Sequence, residues 1–410
     1  MPTNPTPAAA DDLAQDLRSR MVDAIQERGA AQKSAVEAAM RKLPRHLFVP
    51  DADLSDAYDP DSSVITHWFE DGTALSCASG PYVVGLMLDQ LDVRPGQRVL
   101  EIGAGTGYNA ALLAELTGDQ ALVTTVDINP DVTSRAVRAL ASAGRSQVRV
   151  VTGDGALGDP DRGTFDRIIA TVSPWDVPEP WWDQLAVGGR LVTPLRWRGQ
   201  YRGLAFTKHD EELVADSNQM YGFVYLVGDI EGERSGQIAE DVRLHWDQDQ
   251  AIDPADLGNA LSGPRVAAWS GEPIGSEESI ETLWMRMSAL DQRVCRLDVT
   301  AGTSRDLVDP IIPMRTPALV EGDSIAYLTI RRPEGDANTD TWELGAYGHG
   351  PQGIGLAAAI VSAVRRWSPD RAQLPGVTLL RRAAGGAPDA VGGTTIIDKG
   401  RNRLVLTYQR

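Results

Sequence analysis

Residues 98–109 read Arg98-Val99-Leu100-Glu101-Ile102-Gly103-Ala104-Gly105-Thr106-Gly107-Tyr108-Asn109. A short apolar run ends in an acid, glycines recur at every second position, and an apolar helix over 109–116 follows. Positions without a Cβ let the backbone turn sharply and lie against a ligand, with a helix N-terminus beyond. The dinucleotide fingerprint Gly-x-Gly-x-x-Gly is not met. The third glycine comes one residue early, and Tyr108 stands where that pattern wants glycine. An acid before such a turn suits S-adenosylmethionine, which lacks a pyrophosphate but carries an ammonium and a sulfonium. A purely structural glycine turn and a nucleotide site are the alternatives.

Outward from this turn, strand-like and helix-like runs alternate: helix 82–91, strand 98–102, strand 121–126, helix 130–141, strands 148–151 and 165–171. Strands alternating with helices of ten or more residues predict a parallel, doubly wound sheet with its ligand at the carboxyl ends of the strands. Runs at 188–194, 203–206 and 220–227 read as further strands on an antiparallel edge, closing a domain near residue 230. Two more acids fall at strand ends. Asp127, followed by Ile128, stands where a ribose diol is gripped in such sheets, and Asp154, before Gly155, can accept from an adenine amino group. A strand-end Asp is also a common turn or cap residue.

Before the sheet, apolar residues at helical spacing predict two helices over 13–40, split near Gly29. Residues 1–12 read as a disordered tail, and 51–80 as loop. Beyond 230, an acidic stretch to 260 reads as a linker, and 261–410 as a smaller α+β domain around a helix over 354–367. No catalytic motif is visible in that domain. The chain has 410 residues with 39 Lys and Arg against 57 Asp and Glu, a net charge of −18. Such a surface excludes a dedicated nucleic-acid binder and disfavours anionic membranes. Two cysteines, Cys77 and Cys295, exclude a disulfide framework and leave no zinc-type cluster. With no signal segment and no membrane span in view, the expected location is the cytoplasm.

The segments RKLPRHLFVP (41–50), SGPYVV (79–84), RVLEIGAGTGYNAALLAEL (98–116), VTTVDI (123–128), VTGDG (151–155), FDRIIAT (165–171) and QLAVGGRLVTPL (184–195) occur in an order that resembles the protein-L-isoaspartate O-methyltransferases. The resemblance spans about 13–230. It implies a Rossmann-like class I methyltransferase sheet with N-terminal helices, to which 261–410 adds an α+β unit. It also implies S-adenosylmethionine as cofactor, held by Glu101, Gly103, Ala104, Gly105, Gly107, Asp127, Ile128, Asp154 and Gly155. The implied reaction is methyl transfer to a carboxylate of aspartyl or isoaspartyl residues in peptides, the ester then closing to a succinimide. The family's active-site serine falls on Ser79, with Ser76 the competing alignment. Val224 and Leu226 match a Val-Pro-Leu-like substrate segment, interrupted here by Tyr225.

Ser79 also reads as an N-cap before Pro81. His67 and His46 are candidates to approach an anionic acceptor, though an isolated His is more often simply solvated or hydrogen-bonded. Trp175, Trp181 and Trp182 either wall a peptide groove or cover a sheet edge, and His349 reads as a turn residue. The extra unit resembles the extensions of methyltransferases that modify aspartates in lanthipeptide- and graspetide-type peptides, which makes a dedicated peptide the expected partner. A general repair enzyme and a donor-binding module without transfer activity are the rivals, and a dehydrogenase is the weakest. Oligomeric state is not readable.

Overall fold

A computed structural model describes residues 7–68, 72, 74–228, 232–300, 302–303, 305–333, 340–382 and 394–408, without the side chains of 7–10, 74 and 75. The chain forms two compact units, Met1–Leu195 with Arg202–Asp229, and Arg196–Tyr201 with Ile230–Arg410.

The first unit opens with helices α1 (Pro7–Glu27), α2 (Ser34–Lys42) and the short α3 (Leu54–Ala57), then a hairpin of β1 (Val64–Trp68) and β2 (Ala74–Ala78), and α4 (Pro81–Leu91). Residues 7–12, expected in a disordered tail, are therefore the start of a helix, while 1–6 lie outside the described residues. The hairpin likewise replaces part of the loop expected over 51–80. There follow β3 (Val99–Ile102), α5 (Tyr108–Thr117), β4 (Val123–Asp127), α6 (Pro130–Ser142), β5 (Arg149–Thr152), β6 (Phe165–Ala170), α7 (Glu179–Gln184), β7 (Leu185–Trp197), β8 (Gln200–His209) and β9 (Glu212–Gln219).

Strand order in this unit is β9-β8-β7-β6-β3-β4-β5. The strands from β7 to β5 pair in parallel, and β8 with β9 antiparallel. The run at 188–194 thus belongs to the parallel sheet, and the antiparallel edge begins later. All four residues of β3 are buried, as a central parallel strand requires. From β3 the chain winds one way through β4 and β5 and then returns to β6 on the other side. The crevice beyond the carboxyl ends of β3 and β6 is the switch point of the sheet. Met21, Ile25, Met40, Leu88 and Leu113 of α1, α2, α4 and α5 share one apolar core beside it.

The second unit holds β10 (Glu233–Ala239), β11 (Val242–Asp247), α8 (Pro254–Leu261), β12 (Val266–Gly275), α9 (Glu281–Leu290), β13 (Val294–Val299), β14 (Thr316–Glu321), β15 (Ser324–Arg331), β16 (Thr341–His349), α10 (Gly353–Trp367), β17 (Gly376–Arg381), β18 (Thr394–Asp398) and β19 (Asn402–Thr407). A seven-stranded antiparallel sheet runs β10-β11-β13-β14-β15-β16-β12. Leu283 and Trp284 of α9 pack with Leu356, Ile360 and Val364 of α10 in one of its cores. The stretch 231–260, read as a linker, supplies two of these strands and a helix. Among the described residues no helix is long and apolar enough to cross a membrane.

Candidate active site

The three glycines after β3 do three different things. At Gly103 a Cβ would come within 2.6 Å of the Thr171 hydroxyl, which itself donates to the Gly103 carbonyl at 2.8 Å. Gly105 has φ +50°, and its N–H donates to Asp127 Oδ2 at 3.2 Å. A Cβ there would sit 3.2 Å from the Cys77 carbonyl, so the turn and the end of β2 approach as backbones. Gly107, with φ +85°, would meet Leu140 and the Ala136 carbonyl of α6 at 3.2 and 3.3 Å. Its missing side chain lets α5 and α6 pack.

At the switch point lies a cleft enclosing about 630 Å³ of space, partly open to solvent. The turn contributes Gly103, Ala104, Gly105 and Thr106, β3 and β4 contribute Glu101 and Asp127, and α5 contributes Tyr108 and Asn109. The facing wall is Ser76, Cys77, Ala78 and Ser79 with Arg45, while Thr171, Val172, Phe223 and Val224 close another side. Three buried polar atoms of these lining residues have no hydrogen-bond partner among the described residues: Glu101 Oε2, Tyr108 Oη and Arg45 Nη1. Buried polar groups are nearly always satisfied, so three orphans on one cleft mark a place built to meet a ligand.

Electrostatics follow from burial. Glu101 is fully buried and its Oε1 accepts from Asn109 Nδ2 at 2.7 Å. Burial nevertheless pushes its carboxyl up to about 7, against the pull of Thr125 and Asn109. Asp127 accepts from the N–H groups of Gly105 and Asn129 and is also raised by burial, with His67 opposing. Tyr108 is pushed up to about 12 by burial, and the Arg45 guanidinium is pulled below its usual range by the same cause. Four lone-pair directions on the Asp127 oxygens exceed the N–H bonds from Gly105, Asn129 and Ala104, leaving capacity toward a diol. Together with the cradle at Gly105 and the orphaned Glu101 oxygen, these residues fit an S-adenosyl donor.

Of the residues singled out in the sequence, Ser79, Ser76, Glu101, Gly103, Ala104, Gly105, Asp127 and Val224 all line this cleft. Ser79 is not the helix cap, since Gly80 occupies the N-cap of α4. His67, paired across the hairpin with Ser76, lines the adjoining cleft with Gly105 and Thr106. The cleft does not take in Gly107, Ile128, Asp154, Gly155 or Leu226. Gly107 faces α6, as above. Ile128 is exposed. Asp154 caps the 3-10 turn Gly155–Leu157 through the Ala156 N–H at 2.9 Å. At Gly155 a Cβ would strike Ile102 at 2.7 Å and approach Leu226 at 3.3 Å.

The expected strand over 220–227 is an extended segment held to Ser173 by two backbone bonds, Ser173 N–H to the Val224 carbonyl and Leu226 N–H to the Ser173 carbonyl. His46 is bonded to the Tyr58 hydroxyl at 2.8 Å. Trp175, Trp181 and Trp182 are buried, and Trp181 donates to the Gly155 carbonyl, which makes them core rather than groove. His349 is buried and stacked on Tyr327. Sequence reasoning missed Arg45, Tyr108, Asn109 and Thr171. For Arg45 a signal existed: a cation between the buried Leu43 and Phe48 in the proline-punctuated LPRHLF.

The family described as protein-L-isoaspartate(D-aspartate) O-methyltransferase matches residues 16–231. A protein-L-isoaspartate O-methyltransferase of Methanoculleus marisnigri is 43% identical over 179 residues, which are 43% of this chain and 76% of that protein. One from Methanopyrus kandleri is 36% identical over 224 residues, 54% of this chain and 96% of that protein. A solved structure named protein-L-isoaspartate O-methyltransferase superposes with a TM-score of 0.50 at 20% identity, covering 89% of this chain and 97% of that one. That likeness is one of fold, and it extends beyond the first unit.

Proposed function

The chain belongs to the protein-L-isoaspartate(D-aspartate) O-methyltransferase family, and from that premise we propose a general repair enzyme that esterifies the free carboxylate of isoaspartyl residues in damaged proteins and peptides. Its donor is S-adenosylmethionine. The observation that carries the reading is a single cleft at the sheet's switch point, with Glu101, Gly105 and Asp127 on one wall and Ser76 and Ser79 on the other.

Bound S-adenosylmethionine supplies an electrophilic methyl group on a positively charged sulfur. Asp127 would accept from the ribose diol, and Glu101 Oε2 would accept from the donor's ammonium. Ser79, on the cleft wall, would donate its hydroxyl to the acceptor carboxylate and orient it toward the donor. A carboxylate is already ionised near neutral pH, so no strong base is needed. Positioning then carries the rate, and it can be worth roughly 7–11 kcal/mol. The product ester activates its carbonyl toward the following backbone amide, which closes a succinimide with loss of methanol.

A dedicated peptide substrate was expected from the length beyond 230. That argument needs the second unit to be foreign to isoaspartate methyltransferases, and a fold of matching extent in a protein of that name removes its force.

The test uses the full chain, S-adenosylmethionine, and one peptide in isoaspartyl and aspartyl forms. The expected result is a one-methyl mass gain on the isoaspartyl form alone, giving way to the mass of starting peptide minus water. Ser79→Ala should lower kcat on the order of 100-fold with donor affinity unchanged. Donor binding without transfer to either form would return the chain to a binding module. Transfer only to the aspartyl form would favour the dedicated-peptide reading.

A further inference from the structure

Arg45 is completely buried, and no ion pair engages it among the described residues. Its Nε donates to the Ala57 carbonyl at 2.8 Å and its Nη2 to the Ala78 carbonyl at 3.2 Å. Nη1 has no partner. The guanidinium lies over the Tyr108 ring, 5.1 Å from its centroid, and Tyr108 Oη is itself without a partner. Both side chains line the cleft that holds Ser76, Ser79 and Glu101.

Burying a cation costs far more than burying a neutral group unless an anion and hydrogen bonds offset it. Two carbonyls offset part of that cost here. The two carboxylates of the same cleft, Glu101 and Asp127, bond Asn109 and the backbone of Gly105 and Asn129, and neither forms an ion pair with Arg45 among the described residues. Among the described residues no anion pairs with Arg45, and its free N–H edge lines the cleft, which leaves that place to a ligand. A planar guanidinium with a free N–H edge is matched to a carboxylate.

We infer that Arg45, with Tyr108 Oη beside it, is the carboxylate anchor of the cleft, completing its charge balance only when a ligand carboxylate is bound. The inference rests on the carboxyl-methylation reading, which brings two such groups to the site: the amino-acid carboxylate of the donor and the carboxylate of the acceptor. The anchor explains how a chain of net charge −18 seats an anionic ligand beside Glu101 and Asp127.

The experiment compares wild type, Arg45→Met and Arg45→Lys by calorimetry and steady-state kinetics. S-adenosylhomocysteine and 5′-methylthioadenosine share adenosine and thioether, but only the first has a carboxylate. If Arg45 holds the donor, Arg45→Met weakens S-adenosylhomocysteine on the order of 30-fold or more and leaves 5′-methylthioadenosine unchanged. If it holds the acceptor, donor affinity is kept, while the Kd of an isoaspartyl peptide in the presence of S-adenosylhomocysteine rises by a similar factor, as does KM. Arg45→Lys, which keeps the charge, should recover part of the loss and serves alone if the Met variant does not fold. Unchanged affinity for S-adenosylhomocysteine and for the peptide in a folded variant overturns the anchor. Loss of S-adenosylhomocysteine affinity in an enzyme that methylates no carboxylate would keep the anchor and overturn the repair reading instead.

Discussion

Glu101 shows how one side chain serves fold and ligand in opposite senses. It is buried on the central strand with one oxygen bonded to Asn109 and the other to nothing, and its carboxyl is raised to about 7. The sign follows from linkage. Its value in the unfolded chain is near 4.3, so between there and about 7 the folded state binds more protons than the unfolded one. The contribution to stability is full at low pH and is lost as pH rises through 7. Glu101→Gln should therefore flatten the fall in urea midpoint of the ligand-free protein between pH 5 and about 8. A cationic donor favours the ionised form, so donor affinity of the wild type should rise over the same interval with release of a proton. Calorimetry in buffers of different ionisation heat reads that proton, and a pH-independent affinity would contradict the assignment. The acid before the turn was legible in the sequence because a charge closing an apolar strand is conspicuous. For Arg45 the sequence offers only a cation set in an apolar, proline-punctuated stretch; its role depends on Ala57, Ala78 and Tyr108, which only folding brings around it.

At the scale of elements, the stretch 98–171 was read nearly as it stands, because short apolar strands alternating with helices, punctuated by glycine turns, advertise themselves. Asn129 accepting from Asp131 and Val132, with Pro130 behind it, starts α6 as such residues should. The equal spacing of Gly103, Gly105 and Gly107 suggested one job, yet Gly107 meets α6 and lies off the cleft. Gly107→Ala is expected to cost about 1–2 kcal/mol, from positive φ and crowding against Leu140 and the Ala136 carbonyl. Chemical denaturation should show that loss, and S-adenosylhomocysteine affinity should change far less than stability. The elements that were missed carry weak patterns. On β10, at the edge of the second unit's sheet, Ile238 alone of seven residues is buried, so no alternation signals a strand. The hairpin of β1 and β2 hid in a polar stretch for the same reason: β1 has no fully buried residue.

For the whole molecule, the excess of 18 negative charges bears on which substrates arrive fastest. An acidic surface attracts basic chains over roughly 10 Å at 0.1 M salt, and less at higher salt. Isoaspartyl peptides with lysine flanks should show a lower KM than glutamate-flanked ones at low ionic strength. The gap should close in concentrated salt, and a gap that persists would assign the preference to direct contacts. The order of the motifs, the parallel sheet, the donor-type turn and the family resemblance were all set in the local residue pattern. Strand burial, glycine spacing and capping are local properties, and local physics reads them. The fold settled which of those residues share a cleft: it gathered Ser76, Ser79, Glu101 and Asp127, and placed in the wall an Arg45 without an ion pair among the described residues. Convergence of that kind arises between elements far apart in the chain, where burial and unmet hydrogen bonds have meaning only once the neighbours are in place.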